Sequence, residues 1–174
     1  MKKYFKLKLL FFFFLINTTY ANAFQCDLEF DIGDNQSIAF ESLGLYEEYI
    51  VDHKYENQYS YIEDDFKELC PEDGMEEAKL RVLINNEIVG GIRIISLIDI
   101  KYQEDEKKLI YYYIKKHFND VSNIASINNP SWTGSESWDR NNKKYYYSKE
   151  TTNQSSLIKE EFLITNEKFK IYIW

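Results

Sequence analysis

Outside the N-terminus, apolar residues are densest from Leu80 to Ile98, LRVLINNEIVGGIRIISLI. Leu80, Val82 and Ile84 recur at period two, with Arg81 between them. Ile88, Ile92, Ile94 and Ile98 do the same, with Arg93 and Asp99 opposite. Period-two alternation marks strands with one buried face, so the stretch predicts a β-hairpin. A two-residue turn at Asn85-Asn86 sets the two apolar rows on opposite faces. A three-residue loop, Asn85-Asn86-Glu87, pairs Ile84 with Ile88, Val82 with Gly90 and Leu80 with Ile92. That loop is preferred, although it has no glycine at its left-handed position. Gly90-Gly91 offers another solution, a bulge that re-phases the strand.

Upstream, Cys26, Leu28, Phe30 and Ile32 alternate with Asp27, Glu29 and Asp31. A half-buried strand is expected there. Gly33-Asp34-Asn35 signals a turn, and Gln36 to Ser42 resumes the alternation through Ile38 and Phe40. The carboxylates read as a solvated face, since they lack calcium-loop spacing. Leu43 to Tyr59 is polar and tyrosine-rich, holds His53, and gives no clear element. Ser60 to Glu63 has capping-box spacing, and Ile62, Phe66 and Leu69 follow at helical spacing. A short helix ending before Pro71 is expected.

Glu104 to Val121 predicts the main helix. Ile110, Tyr113, Ile114, His117, Phe118 and Val121 form one stripe. Acids at 104–106 and Lys115-Lys116 suit the two ends of its dipole. Ser122 to Lys143 is polar and reads as a long loop holding Trp132 and Trp138. Those indoles either cap the core or bind a ligand, and they are the candidate binding residues. Lys144–Lys149, Leu157–Ile164 and Lys168–Trp174 read as a three-stranded meander, with Ile158, Phe162 and Ile164 inward on its second strand. The expected fold is α+β: an antiparallel sheet of two hairpins and this meander, packed against one main amphipathic helix, with a short disulfide-tied helix.

Residues 1–23 change the picture of where the chain works. Four lysines precede LLFFFFLI, and Ala21-Asn22-Ala23 is a small-x-small cleavage site. The eight-residue apolar run is too short to span a bilayer, so a secretory signal peptide is expected. One domain, residues 24–174, would remain, periplasmic or secreted, with no membrane span. The whole chain carries 21 basic and 29 acidic residues, net −8. Loss of the four signal lysines leaves 17 against 29, net −12. That charge argues against nucleic acid and anionic membranes, and favours a cationic protein or a glycan as partner. The chain ends on an aromatic, Trp174, as outer-membrane barrel strands do, but Lys168, Lys170 and the amphipathic helix oppose that reading.

The only two cysteines, Cys26 and Cys70, predict one disulfide in an exported chain. It would close about 45 residues and limit the unfolded ensemble by roughly 4 kcal/mol. The sequence contains no P-loop, dinucleotide fingerprint, G-x-S-x-G or H-E-x-x-H. Two histidines, His53 and His117, cannot make a multi-histidine metal site. No catalytic residue, metal or cofactor is therefore expected. The reading is a small exported acidic binding module. The alternatives are a hydrolase using a carboxylate pair and a structural envelope component.

Overall fold

A computed structural model describes residues 28–45, 51–52, 60–75, 77–102, 105, 108–118, 131–152 and 156–166. Helix α1 (Gln36–Leu43) comes first, then β1 (Val51–Asp52), β2 (Ser60–Asp65), α2 (Phe66–Leu69), β3 (Ala78–Asn85) and β4 (Ile88–Asp99). Helix α3 (Ile110–His117), β5 (Gly134–Arg140), β6 (Lys143–Thr152) and β7 (Leu157–Asn166) follow. All seven strands form one antiparallel sheet in the order β1-β2-β3-β4-β7-β6-β5. Six strands are six residues or longer; β1 has two. The α+β class is as expected, and the central β3–β4 hairpin lies at mid-sheet.

The turn between β3 and β4 differs from the expected three-residue loop. Asn85 pairs with Ile88, so the turn is Asn86-Glu87, both at positive φ (50° and 64°). Two consecutive left-handed residues match the right-handed twist of the flanking strands. The register then shifts, because Leu83 pairs with Gly91 and Ile84 with Val89. Gly90 is the extra residue, and the bulge restores Val82 opposite Ile92 and Leu80 opposite Ile94. Leu80, Val82, Ile84, Val89, Ile92, Ile94 and Ile98 then lie in the core, while Ile88 is only half-buried and Leu97 is exposed.

One row of that core crosses the sheet through Ile62, Val82, Ile92, Ile164, Tyr145 and Trp138. A second runs through Leu80, Ile94, Phe162 and Tyr147. Phe162 is surrounded by rings: Phe118 at 5.4 Å, Trp138 at 6.0 Å and Tyr145 at 6.2 Å between centroids. The opposite face carries charge pairs, Lys79 with Asp65 and Arg81 with Glu63, and Arg93 lies 2.9 Å from Glu161. Arg81 also lies 4.7 Å over the Tyr61 ring.

Several expected elements are corrected. Residues 28–30 belong to no strand; Leu28 and Phe30 are buried and Glu29 is exposed. The expected strand at Gln36–Ser42 is α1. Asn35 caps its first turn by accepting from Ser37 N–H. Gly44, left-handed at φ 63°, closes the other end: its N–H donates to Glu41, and Leu45 N–H donates to Phe40. Ala39 and Phe40 are buried with Leu43 beside them, while Ile38 is exposed. The helical face wins because the paired caps fix both ends of the helix.

The capping box expected at Ser60–Glu63 is strand β2, with Ile62 inward and Glu63 outward on Arg81. The helix is confined to α2, four residues ending before Pro71. It leads into Cys70, which is buried. Cys26, its expected partner, lies outside the described residues, and no free cysteine occurs among the described ones. The tie between α2 and the front of the chain is therefore not part of the described fold.

The main helix is shorter than its stripe. Ile110, Tyr113 and Ile114 are buried as expected, with Phe118 just beyond the helix end. Residues 104, 106–107 and 119–121 lie outside the described residues. Most of the expected 122–143 loop that is described is strand β5. It is joined to β6 by Asn141-Asn142, both at positive φ. The described meander is thus β5-β6-β7; residues 168–174, expected as its last strand, lie outside the described residues. So does His53. No described helix is long and apolar enough to cross a membrane.

Candidate functional site

Strands β5, β6 and β7 alternate, so they present two chemically different surfaces. The inward positions of β5 are Glu136, Trp138 and Arg140; the outward ones, Ser135, Ser137 and Asp139, are exposed. On the outer face Ser137, Tyr146 and Leu163 form one row, and Ser135, Ser148 and Glu161 the next. Glu150 lies one row further, paired with Lys159. Together they line an open trough of about 680 Å³. Hydroxyl groups dominate its walls, Glu150 and Glu161 add carboxylates, and Tyr146 supplies a ring. The trough can accept hydrogen bonds and cationic groups, and its walls stand on paired strands rather than on loops.

Trp132 and Trp138, the expected binding residues, are not in the trough. They pack on the core face. The Trp138 ring lies 5.5 Å from Tyr145, nearly parallel at 7°, and Trp132 stacks 6.0 Å from Tyr147 at 22°. Gly134 makes room for Trp132; a Cβ there would stand 2.9 Å from its ring. Both indoles therefore cap the core.

Beneath them lies a buried polar cluster. Glu160 sits on the same face of β7 as Ile158 and Phe162, and it is fully buried. Its carboxylate accepts from Ile110 N–H at 2.8 Å, from Tyr111 N–H at 3.4 Å and from the Tyr147 hydroxyl at 2.6 Å. It thereby caps α3 from 50 residues away, because Leu109 at the cap position has no side chain to do so. Lys149 is paired with Glu160 in the ladder, is 2 % exposed, and lies 5.6 Å over the Tyr111 ring. Burial raises the Glu160 carboxyl above its ordinary value, against the opposing pull of its hydrogen bonds and Lys149. Burial lowers the Lys149 ammonium, with Glu160 partly offsetting this. Burial and Glu160 together raise the Tyr147 hydroxyl. Ser96 Oγ, beside Glu160 in the ladder, is buried without a hydrogen-bond partner. The cluster is closed to solvent, so its chemistry is spent on holding α3 to the sheet.

His117 is satisfied as a boundary residue. Its Nε2 lies 2.9 Å from the buried Asp73 carboxylate, and Lys116 Nζ lies 2.7 Å from the same oxygen. The pair pins the end of α3 to the 3-10 turn at Pro71–Asp73. Asp31, expected on a solvated face, accepts from Lys143 Nζ at 2.6 Å. No group of acids, histidines and cysteines able to hold a metal occurs among the described residues.

The trough was hidden in the sequence because its residues are polar and its inward partners are mixed. Ser135 and Ser137, then Tyr146, Ser148 and Glu150, do recur at period two, but only Trp138 is apolar among the inward positions of β5. No protein-family model, curated protein or solved structure matches this chain.

Proposed function

We propose that the chain is an exported, acidic, non-enzymatic binding module whose recognition surface is the outer-face trough of β5, β6 and β7. The observation that carries this reading is the trough itself. It is an open concavity of about 680 Å³ with hydroxyl and carboxylate walls, set on a hydrogen-bonded three-stranded scaffold. Rigid strands hold contact groups at little entropic cost on binding. Export rests on the signal-like residues 1–23, and the working chain is then residues 24–174 in the periplasm or outside the cell. The Cys26–Cys70 disulfide belongs to the same proposal. Its support is the compartment and the lack of a free cysteine among the described residues. Peptide mapping without reductant would recover the two cysteines as one linked pair; two free thiols would remove this part.

The binding test is the melting temperature of the oxidised chain against a panel of glycans, small metabolites, divalent cations and basic proteins. A ligand at about 100 times its Kd adds roughly 2.7 kcal/mol. The expected result is a shift that is lost in Ser148→Arg, which fills the trough without touching the core. A shift that survives Ser148→Arg, or no shift from any member of the panel, would overturn the reading.

A further inference from the structure

Strands β5, β6 and β7 carry the rings of Trp138, Tyr145, Tyr146, Tyr147 and Phe162. On the core face, Trp138, Tyr145 and Phe162 stack on one another and Tyr147 stacks on Trp132. Tyr146 faces the other way, is half-buried, and stacks on no ring among the described residues. It stands in the trough with Ser137 opposite on β5 and Ser148 two residues along its own strand. Among the described residues, no side-chain hydrogen bond engages the hydroxyls of Ser135, Ser137, Tyr146 or Ser148. Other hydroxyls are committed within the fold: Ser37 to Asn35, Thr165 to Gly90 and Tyr147 to Glu160. The outer-face charges are also answered. Arg93 lies 2.9 Å from one Glu161 oxygen and Lys159 3.9 Å from the other. Lys159 is in addition the ladder partner of Glu150. The two outer-face carboxylates thus meet two cations, and what the trough offers a ligand is hydroxyls and one ring.

We infer that the trough takes an uncharged pyranose oligosaccharide, with one sugar ring lying on Tyr146. This rests on the proposed function above and names the ligand class of that site. A pyranose has apolar C–H faces and a rim of hydroxyls. The faces suit the flat ring of a tyrosine, which is apolar in its body and polar at its tip. The rim needs partners that both donate and accept, as serine hydroxyls do. An ionic ligand would instead have to compete with Arg93 and Lys159 for Glu161. The spacing agrees. Strands lie about 4.8 Å apart, and same-face residues follow at roughly 6.5–7 Å along a strand. Ser137 and Ser148 therefore flank a sugar seated on Tyr146, and a second sugar lies over Ser135 towards Glu150. The volume of about 680 Å³ falls within the roughly 300–1,000 Å³ of small-ligand sites. Strand β6 is paired on both sides, so Tyr146 and Ser148 are held in place before binding.

Saturation-transfer difference NMR on the full oxidised chain tests this with three neutral trisaccharides: maltotriose, cellotriose and tri-N-acetylchitotriose. Cationic, deacetylated chitotriose and anionic trigalacturonate serve as charged comparisons. The expected result is saturable binding of at least one neutral trisaccharide, with the strongest transfer at the C–H protons of its rings. Tyr146→Ala should weaken it by about tenfold or more, and Tyr146→Phe, which keeps the ring, by less than about threefold. Raising salt from about 0.05 to 0.5 M should leave the affinity unchanged, since no ion pair forms with the sugar. Should Tyr146→Ala fail to fold, Ser148→Arg, which fills the trough, must abolish the binding. Binding that survives Tyr146→Ala would overturn the seating on Tyr146, and binding that also survives Ser148→Arg would overturn the trough as its site. No binding of any neutral trisaccharide, or tighter binding of a charged one, would overturn the ligand class. A panel ligand whose melting shift is still lost in Ser148→Arg would then leave the trough as the binding site.

Discussion

Replacing Glu160 by alanine is expected to destabilise the fold by about 3–5 kcal/mol, the range for removing one partner of a buried charge pair. The variant leaves the buried Lys149 without the carboxylate it faces across the ladder. It also strips the acceptor from Ile110 N–H, Tyr111 N–H and the Tyr147 hydroxyl. For a domain of this size the loss lowers Tm by roughly 10 °C, at about 2–4 °C per kcal/mol. Glu160→Gln should cost less, because the amide oxygen still accepts from one side, either from Ile110 N–H or from the Tyr147 hydroxyl.

Acidity gives the sharper form of this test. Burial raises the Glu160 carboxyl, so the folded chain takes up its proton at a pH where the unfolded chain, near ~4.3, does not. The stability from that proton grows as pH falls through the folded value and is complete below the unfolded one. Lys149 acts with the opposite sign. Its ammonium is depressed, so folding loses stability as pH falls towards the folded value. In Glu160→Gln the carboxyl term is gone, and the Lys149 loss is deeper without its counter-charge. Wild type should therefore gain stability relative to Glu160→Gln as pH falls through the raised folded value of Glu160 towards the unfolded carboxyl range, measured by urea unfolding. A constant difference would show that Glu160 does not titrate inside the fold.

Phe162→Ala should be as damaging, at about 3–5 kcal/mol. Phe162 is completely buried where the rings of Phe118, Trp138 and Tyr145 converge. Deletion leaves a cavity that rigid aromatic neighbours on three elements cannot collapse to fill. It also removes one of the two rings stacked on Trp138, so the loss of stability should come with a red-shifted tryptophan emission in the folded baseline. Denaturant unfolding followed by fluorescence reads both. A loss under about 1 kcal/mol would mean that Trp138 and Tyr145 do not pack on Phe162 as described.

These two residues also show how far the sequence could be read. Phe162 was legible: Ile158, Phe162 and Ile164 recur at period two and lie on the core face of β7. Glu160 occupies the one position that this pattern skips, and nothing local announces that it caps a helix 50 residues earlier. The central hairpin was legible as two apolar rows. Its turn was not, because Asn86 and Glu87 both take left-handed backbone without a glycine, and the bulge at Gly90 then repairs the phase. At α1 two periods competed. Ile38 and Phe40 suggest a strand, while Ala39, Phe40 and Leu43 make a helical face, and the caps at Asn35 and Gly44 decide between them. The indoles were the conspicuous binding candidates, yet Trp132 and Trp138 stack on Tyr147 and Tyr145. The trough residues are individually unremarkable serines, and only the register of β5 on β6 brings them together.

Amide chemical-shift mapping of the oxidised, ¹⁵N-labelled chain during titration with the glycans, metabolites and basic proteins of the panel tests the central claim most directly. Binding through the outer face of the meander predicts shifts concentrated at Ser135, Ser137, Tyr146, Ser148, Glu150 and Glu161, with the Asp73–His117 end unmoved. Shifts centred on that far end, or no shifts with any of these ligands, would contradict it.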